Sequence, residues 1–175
     1  MKLQNLLPFE KYNLTTKLSY DEIYKRLADN IEPKRSFQFF AFNRNSTKPY
    51  EGEIWGNSFT ISRIINYNNS FLPVIKGNIL TMIGQNQINI KMRPAIFFLI
   101  FGSLWLGIVT LACILLILAG LVQFKQIIQN GFSPAFLIPF GMFIFGCLIF
   151  LIPFKIESKK SRKFLAALLE VEETD

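Results

Sequence analysis

Residues 95–122 and 135–154 contain no Asp, Glu, Lys, Arg or His, and only the short stretch 123–134 separates them. Nothing else in the chain limits its fold so strongly. A helix needs about 20 apolar residues to cross the ~30 Å hydrocarbon core of a bilayer. Helices buried in soluble proteins are seldom apolar all round for that long. The two runs therefore predict an integral membrane protein, folded partly in water and partly in lipid. As a straight helix the first run would measure about 42 Å, so it should tilt or project at one end.

The charges on either side of the runs set the expected orientation. Lys91 and Arg93 precede the first run, Lys155, Lys159, Lys160, Arg162 and Lys163 follow the second, and the connector carries only Lys125. The positive-inside rule then places both termini in the cytoplasm, in a multi-pass protein of the inner (plasma) membrane. Asn130-Gly131 supplies a chain reversal between the runs, and Ser133-Pro134 suits the start of the second helix. The expected organisation is a cytoplasmic domain over 1–94, a transmembrane helical hairpin over 95–154 and a cytoplasmic juxtamembrane helix over 155–175.

The net charge of +7 lies mostly in residues 1–94, which hold 13 basic and 7 acidic side chains. A basic domain tethered beside a bilayer is first explained by anionic lipid headgroups, which favour each nearby Lys or Arg by about 1 kcal/mol. Lys91, Arg93, Lys155, Lys159, Lys160, Arg162 and Lys163 are the expected membrane-surface contacts. No nucleic-acid motif accompanies the charge, so no nucleic-acid partner is expected.

Composition narrows the chemistry further. Histidine is absent, which removes the commonest general base and the commonest metal ligand. The only cysteines, Cys113 and Cys147, lie inside the apolar runs and show no metal or redox spacing. The expectation is a protein with no metal, no cofactor and no enzymatic activity. Met1 to Lys11 is broken by Pro8 and Glu10 and lacks the apolar core of a signal peptide, so the runs themselves should direct insertion. Three glycosylation triplets, at Asn13, Asn45 and Asn68, fall on the expected cytoplasmic side and read as chance matches.

Within the first 94 residues, Tyr12, Leu14, Thr16 and Leu18 alternate with polar neighbours as in a half-buried strand. Ser19 and Glu22 then form a capping box, and Ile23, Leu27 and Ile31 recur at helical spacing until Pro33. Asp21, Lys25, Arg26 and Asp29 make the solvated face of that helix. Strand candidates follow at 36–42, 51–55, 58–65, 71–75, 78–83 and 87–92. Gly56-Asn57, Lys76-Gly77-Asn78 and Gly84-Gln85-Asn86 punctuate them as turns. The expected fold is α+β: a small antiparallel sheet with one N-terminal helix, a two-helix transmembrane hairpin, and a C-terminal amphipathic helix.

Three groups of side chains could carry function. Phe37, Phe39, Phe40 and Phe42, followed by Trp55 and Phe59, could be sheet core or could line an apolar pocket. Glu51 and Glu53 share one strand face as acid/base pairs do, but a solvated face explains them more simply. Arg63, Asn66, Asn68, Asn69 and Ser70 form the candidate ligand-binding loop, an Asx-rich turn being the plainer reading. Residues 63–77, with their Arg, Tyr-Asn and Ser-Phe-Leu-Pro elements, run on into a Gly-rich hairpin and the two apolar runs. Over residues 50–120 this arrangement resembles small bacterial two-span membrane proteins with a cytoplasmic β-rich domain. That group brings no established activity, and the resemblance implies a bacterial origin and little else.

In the first apolar run Ser103 and Gly107 make a small-xxx-small pair suited to close helix contact or to a homo-oligomer. Neither run offers a polar route for an ion, which disfavours a channel or pump. In the tail, Phe164, Leu165, Leu168 and Leu169 form an apolar stripe expected to dock on the protein's own sheet, with a partner protein as the other use. The functional expectation is a non-enzymatic membrane protein presenting a small basic domain for protein assembly or regulation, with a membrane-tethered lipid or small-molecule sensor as the alternative.

Overall fold

A computed structural model of the chain describes residues 7–34, 46–65, 67, 69, 71–122 and 134–171. They form two compact units, one of Met1–Ala95 with Pro153–Asp175, the other of Ile96–Ile152. The first unit is a six-stranded sheet with helical cover. Its elements are β1 (Glu10–Thr16), α1 (Tyr20–Asn30), β2 (Ile31–Pro33), β3 (Tyr50–Trp55), β4 (Ser58–Arg63), β5 (Pro73–Met82) and β6 (Gln85–Pro94). Two long helices follow, α2 (Ile96–Val122) and α3 (Ile138–Leu168), with a 3-10 turn at Pro134–Leu137 leading into α3.

The strand order is β1-β6-β5-β4-β3-β2. Strands β3 to β6 make the expected antiparallel meander, β1 returns to pair antiparallel with β6, and β2 adds to β3 in parallel. Two-residue turns close the β3–β4 and β5–β6 hairpins, with positive φ at Gly56 (49°) and Gly84 (81°). The expected turn at Lys76-Gly77-Asn78 does not exist, and the strands anticipated at 71–75 and 78–83 are one strand, β5. Gly77 stands there because the Phe59 ring crosses it: a Cβ would lie 2.1 Å from that ring. The strand anticipated at 36–42, with Phe37, Phe39, Phe40 and Phe42, lies outside the described residues, as does the connector reversal at Asn130-Gly131.

Helix α1 carries the capping box read from Ser19 and Glu22, and it buries Ile23 and Leu27. Ile31, expected to extend the helical stripe, is instead extended and opens β2. The buried sheet face includes Leu14, Tyr50, Phe59, Ile61, Ile75, Ile79, Ile88, Ile90 and Met92. Against it pack α1 and the C-terminal half of α3 through Phe154, Leu165 and Leu169. The stripe of the tail therefore docks on the chain's own sheet. It does so without forming a separate helix: the second apolar run and the tail are one continuous helix that passes through Pro153.

The end of α3 is fixed by three kinds of partner. Thr16 Oγ1 donates to the Leu169 carbonyl at 2.6 Å, and the Arg26 guanidinium donates to the Leu168 carbonyl at 2.9 Å and to Glu170 at 2.7 Å. Backbone bonds from Val171 to Ala166 and from Glu170 to Ala167, with Glu170 at φ 50°, close the helix in a Schellman turn.

In the second unit, α2 buries Gly102, Val109 and Cys113, spacings that define one narrow seam. Phe150 sits on Gly102 and Trp105 on Gly146, so the two helices run antiparallel. The anticipated pair Ser103 and Gly107 is not this contact: Ser103 is exposed, and a Cβ on Gly107 would meet nothing within 4 Å. Close approach needs a small residue where an aromatic ring arrives, and spacing alone does not say where that is.

Candidate functional site

Two groupings of polar side chains stand out in the first unit. The first centres on Glu157, whose side chain is 1% exposed although it lies in a run of charged residues. It occupies the face of α3 that also buries Phe154, Ser158, Ser161, Leu165 and Leu169. Its carboxylate accepts from Arg63 Nη1 at 2.6 Å, from Lys160 Nζ at 2.7 Å and from the Tyr67 hydroxyl. Burial opposes its charge, yet the hydrogen bonds of Lys160, Tyr67 and Arg63 and the Arg63 charge prevail and hold its carboxyl below the usual range. Burial and the hydrogen bond to Glu157 push the Tyr67 hydroxyl up. With three donors on two oxygens, Glu157 has little capacity left to move a proton. It acts as a strut joining the end of β4 to α3.

The second grouping is a cavity of about 450 Å³ at the corner of the sheet where β1 begins and β6 ends. Five cations line it: Lys11, Lys91, Arg93, Lys155 and Arg162, against one carboxylate, Glu10. Lys155 bridges to Glu10 at 3.1 Å. Among the described residues, Lys11, Lys91 and Arg93 have no carboxylate at ion-pair distance. Arg162 lies over the Tyr12 ring, 5.0 Å from its centroid. Among the described residues the buried Tyr12 hydroxyl has no hydrogen-bond partner, and burial pushes its pKa well up, so it keeps its proton. Leu7, Phe9 and Met92 supply the apolar part of the wall.

Register decides which cations share a face: Lys11, Lys91 and Arg93 belong to the helix-free face of the sheet, Glu10, Tyr12 and Met92 to the face that α3 covers. On the helix-free sheet face, Lys11 stands opposite Lys91 and Lys91 opposite Lys76, three exposed ammonium groups in one row across β1, β6 and β5. Like charges directly opposite one another destabilise a sheet, and no carboxylate interrupts these three. The row continues through Thr60 to Glu53.

The residues anticipated from the sequence are distributed differently from the expectation. Arg63 is held by Glu157. Asn69 makes a local turn, its Oδ1 accepting from the Phe71 amide at 3.0 Å. Asn66, Asn68 and Ser70 lie outside the described residues. Glu51 and Glu53 sit on the helix-free sheet face, Glu53 exposed and Glu51 half-buried, opposite Ser62 and Thr60. Phe59 is core, and Trp55 is exposed. The seven anticipated surface cations divide: Lys91, Arg93, Lys155 and Arg162 line the corner cavity, Lys160 serves Glu157, and Lys159 and Lys163 are exposed on α3. Sequence reasoning missed the buried role of Glu157 and the place of Lys11. The spacing of Phe154, Ser158, Ser161, Leu165 and Leu169 was the available signal for the first.

Comparison with family models, with curated proteins and with solved structures finds no match for this chain.

Proposed function

We propose that this is a non-enzymatic, two-span integral membrane protein of the bacterial inner membrane, holding a small basic α+β domain at the lipid surface for protein assembly or regulation. One observation carries the reading: few residues of α2 and of the apolar half of α3 are buried, and most of their large apolar side chains are exposed. The most apolar stretches of the two helices are only 11% and 6% buried. A core helix of a soluble protein would be mostly covered, and uncovered apolar helices of this length are stable in hydrocarbon. Only Ala95 separates β6 from α2, and α3 continues without a break into the helix that docks on the sheet.

The flanking cations favour cytoplasmic termini. The saturation of Glu157 and the lack of histidine argue for a binding or scaffolding role over catalysis. Extraction and protease protection test the proposal together. The protein should stay in the membrane pellet through alkaline carbonate, and protease added outside spheroplasts should leave the sheet domain intact. Release into the carbonate supernatant, or digestion of the sheet domain from outside, would refute it.

A further inference from the structure

We propose that the helix-free face of the sheet binds a second copy of this chain, about a two-fold axis that lies between the two sheets and parallel to their strands. The charge pairing rests on the sheet unit alone, and only the direction of the axis draws on the membrane reading above. Register sorts the charges of this face by strand. Lys11, Lys76, Lys91 and Arg93 stand on β1, β5 and β6, whereas Glu51 and Glu53 stand on β3, with only hydroxyl side chains of β4 between the two groups. Among the described residues Glu53 has no cation at ion-pair distance, and the four cations have no carboxylate there. One side of the face is basic and the other acidic.

The strand order dictates how two such faces fit. An axis along the strands reverses that order in the facing copy, so β6 lies over the partner's β3 and β5 over the partner's β4, with residues of one row kept level. Lys91 then faces the partner's Glu53, and the same contact recurs on the other side of the axis. The row Lys11, Lys91 and Lys76, unfavourable within one copy, gains a carboxylate in the pair. An axis across the strands would set the basic strands against one another. The attachments to the apolar helices agree with the first choice. Strand β6 leaves the sheet at Pro94, and Lys155, near the start of the docked half of α3, bridges to Glu10 opposite Met92, so both connections leave from one end of the strands. The proposed axis keeps that end of both copies on one side, as two chains inserted in one bilayer require.

Trp55 is 80% exposed on the same face, and Leu80 and Met82 of β5 are exposed beside it. A second sheet takes these apolar groups out of water. The face measures about 24 Å across five strands and about 20 Å along β3 and β4, so a pair would bury roughly 1,000 Å² in total, enough for a specific contact. A uniformly anionic occupant, whether a bilayer surface or a nucleic acid, matches the basic strands but is repelled by Glu51 and Glu53.

The test uses the full chain in an uncharged detergent, with association followed by sedimentation and native mass spectrometry. The wild type should form a dimer. Lys91→Glu and Glu53→Lys each create two like-charge contacts across the axis and should raise the dimer dissociation constant about tenfold or more. The double variant Lys91→Glu with Glu53→Lys restores opposite charges and should return to within about threefold of the wild type. The chain carries a net charge of +7, so by bulk charge alone Lys91→Glu would favour association, and weakening marks a specific contact. Lys159→Glu, on the exposed face of α3, should not weaken the dimer. Amide-exchange protection of β6, equal to that of the wild type, shows that each variant keeps its sheet. A monomeric wild type, single variants that dimerise as the wild type does, or a double variant without recovery would each overturn the proposal. So would a monomer that binds phosphatidylglycerol vesicles or a single-stranded oligonucleotide through Lys91, which would give the face to an anionic partner. The measurement in detergent does not depend on insertion, which carbonate extraction reports separately, so failure of one reading is distinguishable from failure of the other.

Discussion

Glu157 shows at the scale of single residues how a charge can stabilise a core contact. Removing one member of a buried ion pair leaves its partner unsatisfied, and Arg63 is only about one-third exposed. Glu157→Ala is therefore expected to lower the stability of the sheet unit by about 3 kcal/mol, the lower end of the range for buried pairs because Arg63 can still reach water. Loss of amide-exchange protection in β4 and in the docked half of α3 would measure it. The pH dependence follows from the depressed carboxyl. A carboxylate whose folded pKa lies below its ordinary value of 4.5 contributes stability that is complete above that value and is lost as pH falls through the folded one. The difference in stability between the wild type and Glu157→Gln should thus be largest at neutral pH and shrink below about pH 4.5. A difference that stays constant down to pH 3 would show that the carboxylate charge contributes nothing. Arg63 stood out in the sequence, but its partner lies 94 positions away. Local pattern carries no information about a contact of that range, and so the residue looked like part of a ligand loop.

Among the elements, those governed by local rules were legible in the sequence and those governed by tertiary contact were not. The capping box of α1, the hairpin turns at Gly56 and Gly84 and the alternation of β1 are short-range signals, and each matches the fold. Gly77 looked like a turn because glycine usually breaks strands, whereas here it makes room for the Phe59 ring. The second apolar run and the tail were expected as separate helices, yet α3 runs on through Pro153. A proline costs one backbone hydrogen bond and a local clash, and docking of Phe154, Leu165 and Leu169 against the sheet outweighs that penalty. Leu165→Ala and Leu169→Ala should each destabilise the sheet unit by about 2–5 kcal/mol, as truncation of fully buried leucines does. Chemical denaturation followed by helical circular dichroism in detergent would test this. Destabilisation below about 0.5 kcal/mol in both would mean that the tail does not complete the core.

For the whole molecule the main contrast is between a sheet unit with an ordinary buried core and a helix pair in which few residues are buried and most large apolar side chains are exposed. Composition alone announced that contrast, because charge-free runs of such length have few other uses. Which cations gather at the β1–β6 corner was not legible, since strand order decides it and Lys11 lies far from Lys91 in the chain. The central claim is that hydrocarbon covers α2 and the apolar half of α3. Spin labels at Ile108 and Ile144, exposed positions near the middle of the two apolar stretches, address it directly once the protein is placed in lipid nanodiscs. Labels at both sites should be relaxed strongly by oxygen and hardly at all by a water-soluble nickel chelate. Strong relaxation by the nickel chelate at either site would place that helix in water and contradict the account.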